Sequence, residues 1–249
     1  MHRFTMAVLG ALLATSAWAE TDTREMDEFT KVAYSLPFEV EFVVADEHFV
    51  TLEGDADTID ESVTEVKGDT LKVHKDDSWF DWSDEQIVLT IGFETLEAIS
   101  MAGSGDGYAE VLESDDFSIR ISGSALLEVG KLSCNDLDIA IAGSGDVKLN
   151  ELEADTLSTS IAGSGNVEAS GRVVSQDISI SGSGDHNARD LRSQEADVTV
   201  RGSGDVEIWA VAALDATVMG SGDIDYYGNP KVDDNIMGSG SLKRRGDEP

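Results

Sequence analysis

What this 249-residue sequence has little of narrows its reading before any motif is found. It has one cysteine, Cys134, so no intramolecular disulfide can form and stability must come from packing. Aromatic residues make up only 6% of the chain, so a core has to be built from aliphatic side chains. Lys and Arg number 17 against 50 Asp and Glu, a formal net charge of −33. Such a surface repels nucleic acid and anionic lipid, and it argues against a lyase with a basic groove for an acidic polymer. Beyond the first 14 residues no apolar run approaches the roughly 20 residues that a membrane-spanning helix needs.

What the sequence does have is a clock. Gly-Ser-Gly or a near copy begins at Gly103, Gly123, Gly143, Gly163, Gly182, Gly202, Gly220 and Gly238, at intervals of 20, 20, 20, 19, 20, 18 and 18 residues. A fixed period of this size marks an architecture in which each unit stacks on its neighbours. Two residues before each copy stand Met101, Ile121, Ile141, Ile161, Ile180, Val200, Val218 and Ile236, and four before it stand mostly Ile or Val. Apolar residues at every second position mean strand. After Gly143 a second strand runs Val147-Lys148-Leu149, with Leu152 beginning a third. The expected fold is therefore all-β, a right-handed parallel β-helix whose rungs each have three short strands and three corners. The eight Gly-Ser-Gly strings are its structural corners, with glycine supplying φ > 0 and the following Asp bonding its own turn. No copy opens a helix with Gly-Lys-Ser, so the string is not a phosphate loop.

Residues 1–19 stand apart. His2 and Arg3 precede the apolar run from Met6 to Ala14, and Ala17-Trp18-Ala19 fits a small-x-small cleavage site. This predicts a signal peptide and an exported protein, periplasmic or extracellular. Removing it takes away Arg3 and no acid, so the formal charge goes from −33 to −34. Residues 20–30 are expected to be a loose leader and 31–249 one β-helix domain. Within it, 31–100 would be irregular N-terminal rungs and cap, and 101–245 the regular rungs. In the cap, Ile59, Val63 and Val66 at helical spacing suggest a short helix over Asp57–Lys67, with Asp57 as N-cap.

The segments Val50-Thr51-Leu52-Glu53-Gly54-Asp55, Gly68-Asp69-Thr70-Leu71-Lys72-Val73, Ile87-Val88-Leu89-Thr90-Ile91 and Leu96-Glu97-Ala98-Ile99-Ser100-Met101-Ala102-Gly103-Ser104-Gly105-Asp106 follow in that order. With them the chain, from about residue 30 to 245, resembles the bacterial family called putative auto-transporter adhesin, head GIN domain. The resemblance implies a right-handed parallel β-helix in an exported envelope protein. It carries no catalytic residues over to this sequence.

Columns of stacked residues give the candidate sites. Counting from each first Gly, the plus-four column (Leu127, Val147, Val167, His186, Val206, Ile224) and the plus-six column (Val129, Leu149, Ala169, Ala188, Ile208) read as inward, with His186 a neutral, hydrogen-bonded core residue. Plus-seven reads as outward and puts Trp209 and Tyr227 on adjacent rungs, flanked by Arg189 and Arg245, as a flat stacking surface. A covering segment or subunit over the pair is the alternative. Trp79, Phe80 and Trp82 lie in the acidic stretch 76–85 and read either as a lid over the stack or as an aromatic platform. Cys134, with Ala154 and Val174 as its equivalents, reads as a small buried hydrophobe. Asp185, Asp205 and Asp223 stack like charges at about 4.8 Å, which would suit a divalent ion, but solvated turn carboxylates account for them and no metal or cofactor is expected.

The leading function is a non-enzymatic binding, adhesion or scaffold module at the cell envelope, with a glycan or an envelope protein as the open partner classes. Nucleic acid is not among them, and an oligomer is compatible. A polysaccharide lyase or hydrolase on the same fold is one alternative. End-to-end self-assembly through the basic Lys243-Arg244-Arg245 is another. Cleavage after Ala19 predicts that the mature protein begins Glu20-Thr21-Asp22; N-terminal sequencing of the exported protein checks it, and an intact Met1 would overturn the export reading.

Overall fold

The computed structural model describes residues 20–75 and 87–249; residues 1–19 and the stretch with Trp79, Phe80 and Trp82 lie outside them. Its strands join in one sheet wound as a parallel β-helix of roughly 20 residues per turn. The N-terminal strands are β1 (Glu20–Glu25), β2 (Lys31–Tyr34), β3 (Glu39–Val44), β4 (Phe49–Gly54), β5 (Ser62–Lys67), β6 (Thr70–Lys75), β7 (Ile87–Phe93), β8 (Ala98–Met101) and β9 (Gly107–Glu113), with helix α1 (Ala56–Glu61) between β4 and β5. The regular part begins with β10 (Asp116–Gly123), β11 (Leu126–Ser133), β12 (Asp136–Gly143) and β13 (Asp146–Glu153) and continues to Gly246.

Each regular rung has two strands. The first, as in β12, alternates strictly and buries Leu137, Ile139 and Ile141. Those residues stack in register on Leu157, Thr159 and Ile161 of the next rung. The second strand, as in β13, buries Val147 and Leu149, turns both Asn150 and Glu151 outward, then buries Leu152. The expected second and third strands are thus one strand with a bend, because the slip in alternation turns the chain without breaking its pairing. Rungs of 18 to 20 residues differ at this bend, where register shifts fall between Leu149 and Leu152 and between Ala188 and Arg192. One such shift corrects the column of Cys134. The amide of Ala154 bonds the carbonyl of Arg172 as that of Cys134 bonds Glu153, so the next member is Val173, which is buried, and not Val174, which is 52% exposed.

The two corner glycines are needed for different reasons. Gly143 has φ +138, a conformation that side chains rarely adopt, and a Cβ there would also stand 2.5 Å from the carbonyl oxygen of Gly123. Gly165, the second of its pair, has no positive φ; a Cβ on it would stand 2.1 Å from the carbonyl oxygen of Gly145. The first glycine answers to backbone conformation and to space, the second to space alone, and Ala125 shows that the second position can admit a Cβ.

The N-terminal part departs from the expectations in three ways. Residues 20–25 of the expected loose leader are strand β1, paired antiparallel with β4 from Glu20 opposite Gly54 to Glu25 opposite Phe49. Arg24 anchors it by donating to the carbonyls of Ser62 and Ile59 at 2.6 and 3.0 Å. The helix ends at Glu61 and is capped by Asp55, whose side chain accepts from the Thr58 amide at 2.9 Å. Ser62–Lys67 is strand β5 instead, since Val63, Thr64 and Val66 favour extended backbone and the segment pairs antiparallel with β6. Finally, the rungs do not stack in chain order. β2 lies between β6 and β8, and β3 lies between β7 and β9, so the rung written first is spatially second. β1, β4 and β5 close the N-terminal end with antiparallel pairing.

The inner columns are closely filled: Leu127, Val147, Val167, Val206 and Ile224 are all 1% exposed or less. His186 stands among them between Val167 and Val206; the expected hydrogen bond is not made, because its column neighbours are valines, and neither ring nitrogen has a partner. Burial pushes its pKa down from 6.5 to about 4, so the ring is neutral.

Two predictions follow from this packing. Gly143→Val should destabilise the fold by more than about 1 kcal/mol, through backbone strain and the clash with Gly123; an unchanged Tm would show that the corner does not need glycine. Between about pH 6.5 and pH 4 the unfolded chain takes up a proton at His186 that the folded chain refuses, so stability should fall with pH across that window, by up to about 3 kcal/mol. His186→Leu should raise the Tm at neutral pH and flatten that slope, measured as the difference in melting between variant and wild type; a parallel pair of curves would overturn it.

Candidate functional site

Trp209 and Tyr227 are opposite each other on neighbouring parallel strands, both half-buried, on the outer side of the bend. The cation over the indole is Arg192, whose guanidinium carbon lies 5.9 Å from the ring centroid. Arg192, not Arg189, is opposite Trp209, because the rung from Gly182 carries extra residues at the bend. Arg189 falls in that slip and pairs with Asp190 at 3.2 Å. On the other side Tyr227 is opposite Gly246, and the register shift pushes Arg245 out of the column to bond Asp225 at 2.5 Å. The expected column therefore survives as Arg192, Trp209 and Tyr227. Counting at a fixed offset missed Arg192, although the shortening of the interval from 20 to 18 residues after Gly202 marks where the count fails. Ser193 helps fix the bend by donating to the Trp209 carbonyl at 3.0 Å.

The acidic column at the Gly-Ser-Gly corner is a hydrogen-bond ladder between rungs. Asp146 accepts from the amide of Asn166, Asn166 from that of Asp185, Asp185 from Asp205 and Asp205 from Asp223, at 2.8 to 3.1 Å. Each side chain thus bonds the next rung, which corrects the expectation that it bonds its own turn. At Asp185 and Asp205 one carboxylate oxygen is engaged in this way, and at Asp223 Ser241 takes one oxygen and Lys243 the other. Among the described residues no group of three or more His, Cys, Asp or Glu is placed to hold a metal ion. The corner serines, such as Ser144 and Ser164, are exposed and stacked, their amides donating to the preceding Gly carbonyls at 2.8 Å.

A groove of about 1490 Å³ follows the opposite corner and is lined by Glu113, Asp115, Asp116, Asp136 and Cys134. Cys134 is half-buried and not fully buried as expected. Burial, with Asp136 and Asp116 beside it, pushes its thiol up to about 11, so it is protonated at neutral pH and a poor nucleophile.

Among solved structures, a putative lipid binding protein from Parabacteroides distasonis ATCC 8503 is 26% identical and superimposes with a TM-score of 0.87 over 92% of this chain and 97% of its own. A putative adhesin from Parabacteroides merdae ATCC 43184 is 21% identical, with a TM-score of 0.88 over 92% and 97%. One from Bacteroides fragilis NCTC 9343 is 22% identical, with a TM-score of 0.70 over 92% and 98%. No curated protein matches the chain. The pattern of the family described as putative auto-transporter adhesin, head GIN domain, matches residues 28–230, and the chain belongs to that family.

Proposed function

We propose that the protein is an exported, non-enzymatic binding module of the cell envelope, and that Arg192, Trp209 and Tyr227 form its binding surface. The observation that carries this is the register: two aromatics opposite each other on adjacent strands, with a guanidinium over the indole. A rigid sheet holds these groups in place before a ligand arrives, which reduces the ordering cost of binding. Stacked aromatic faces with a planar cation suit the apolar face of a sugar ring, so a glycan is the preferred ligand and an envelope protein the second.

Family membership and the adhesin descriptions of structural neighbours support a binding role. Among the described residues no helix is long and apolar enough to cross a membrane. The interior is filled by packed, mostly aliphatic side chains, so a ligand of any kind, lipid included, would meet an outer face. A lyase or hydrolase rests on fold analogy alone. Head-to-tail assembly fits less well, because the N-terminal end presents antiparallel-paired β1, β4 and β5 and does not continue the parallel rungs found at the C-terminal end.

Trp209→Ala combined with Tyr227→Ala should abolish binding on a glycan array and to envelope preparations while leaving the Tm nearly unchanged. Loss of folding would make the pair structural. Retained binding would move the site elsewhere, with Trp79, Phe80 and Trp82 the next candidates.

A further inference from the structure

A second outward surface lies about five strands from Trp209, roughly 24 Å along the stack. Three parallel strands build it as a small grid. β3 contributes Glu39 and Glu41, the start of β9 brings Tyr108 after Asp106, and β11 contributes Leu126 and Glu128. Register places Glu41 and Glu128 on either side of Tyr108, one strand away each. Val88 of β7 extends the grid beyond Glu39. Together these residues line an open groove of about 430 Å³.

The groove differs from the rest of an acidic surface in exposing apolar groups among its acids. Tyr108 is 43% exposed and Val88 48%, and Tyr108 is the only aromatic among the strongly exposed large hydrophobics of the described residues. Four carboxylates surround them: Asp106 accepts from the Leu126 amide at 3.0 Å, Glu128 from Asn150 at 2.8 Å with Lys148 3.7 Å away at the edge, and Glu39 and Glu41 stand open. No ion pair or side-chain hydrogen bond among the described residues reaches Glu39 or Glu41. A cation resting on the phenol ring would have a carboxylate about 4.8 Å to each side.

We infer that this groove binds a basic peptide segment of a partner protein, with an Arg or Lys stem on Tyr108 and its charge shared by Glu41 and Glu128. The groove is too open to bury a small free cation, so further contacts along a chain are needed. An extended peptide supplies them: its alternate side chains recur at about 6.7 Å, the same spacing that separates Glu39 from Glu41 and Asp106 from Tyr108 along their strands. The site is separate from the Trp209 surface and does not depend on it.

The test is fluorescence anisotropy of a labelled, end-blocked Arg-Ala-Arg-Ala-Arg peptide with the full chain at about 150 mM salt, where long-range attraction by the net charge is screened. Glu41→Gln with Glu128→Gln should weaken binding about tenfold or more, and Tyr108→Ala should do likewise. Tyr108→Leu, which keeps the apolar bulk, should also weaken it, and the Tm of each variant confirms folding. Glu195→Gln with Asp233→Asn removes the same charge far along the stack and should change affinity less than twofold. Equal losses in the two charge pairs would show general attraction and overturn the site, as would full binding by both Tyr108 variants. Spermidine binding as tightly as the peptide would overturn the peptide as occupant. Trp209→Ala should leave this binding intact, so failure here and failure of the glycan reading are read separately.

Discussion

The whole stack depends on how closely one corner approaches the next. The amide of each corner serine donates to the carbonyl of the corner glycine one rung below at 2.8 to 2.9 Å, from Ser124 on Gly103 to Ser239 on Gly220. That bond draws the next glycine so near that a Cβ on Gly123, Gly163 or Gly202 would stand 2.0 to 2.3 Å from the same oxygen. The corner thus fixes the height of every rung at the strand spacing. Once the height is fixed, residues at equal offsets stack in columns, and each inward column can be filled with one kind of side chain. A chain with no disulfide and few aromatics is then held by many small aliphatic contacts, each buried side chain contributing about 1.5–3 kcal/mol.

Precision at one corner leaves the slack elsewhere. The Gly-Ser-Gly corners stay in register through every rung, while the register shifts gather at the bend of the second strand. Inward positions resume past each shift, with Leu152, Leu191 and Ala210 all buried. Side chains on the outer side of the bend are therefore released from the strict column and can be combined across rungs. Arg192 over Trp209 is a product of that freedom. Binding groups of this fold are expected at bends and outward columns, where substitution does not disturb the core.

The repeat made much of this legible. Unbroken alternation before each glycine gave away the strands, the inward columns and the stacking of Trp209 on Tyr227. The stacking order at the N-terminus was not legible, since the rung of β2 and β3 turns at Ser35-Leu36-Pro37-Phe38 with no glycine to count from. Its place is set by long-range pairing, with the Ala102 amide on the Tyr34 carbonyl at 2.8 Å. Periodicity misled at Val63 and Val66, which suit a helix on spacing but lie on a strand once β6 offers a partner. The Asp ladder was hidden because an acceptor side chain looks the same whether its donor is its own turn or the next rung.

That ladder also shows how so acidic a protein tolerates stacked carboxylates. At the corner, Asp185 and Asp205 each hold a backbone amide of the following rung, so a column of like charges is threaded with donors. At its end Ser241 and Lys243 hold the Asp223 carboxyl below its usual range. Across the first strand, Asp177, Asp197 and Asp215 stack in register without such a relief. There partial burial, with Asp215 and Asp177 on either side, raises the pKa of Asp197. Charge on this solenoid therefore differs column by column: backbone amides thread the corner, and among the described residues the first-strand column has none. The carboxylates around Tyr108 differ again: they flank an exposed ring, so the partner that relieves their repulsion can also cover apolar surface, and both effects favour binding at the same place.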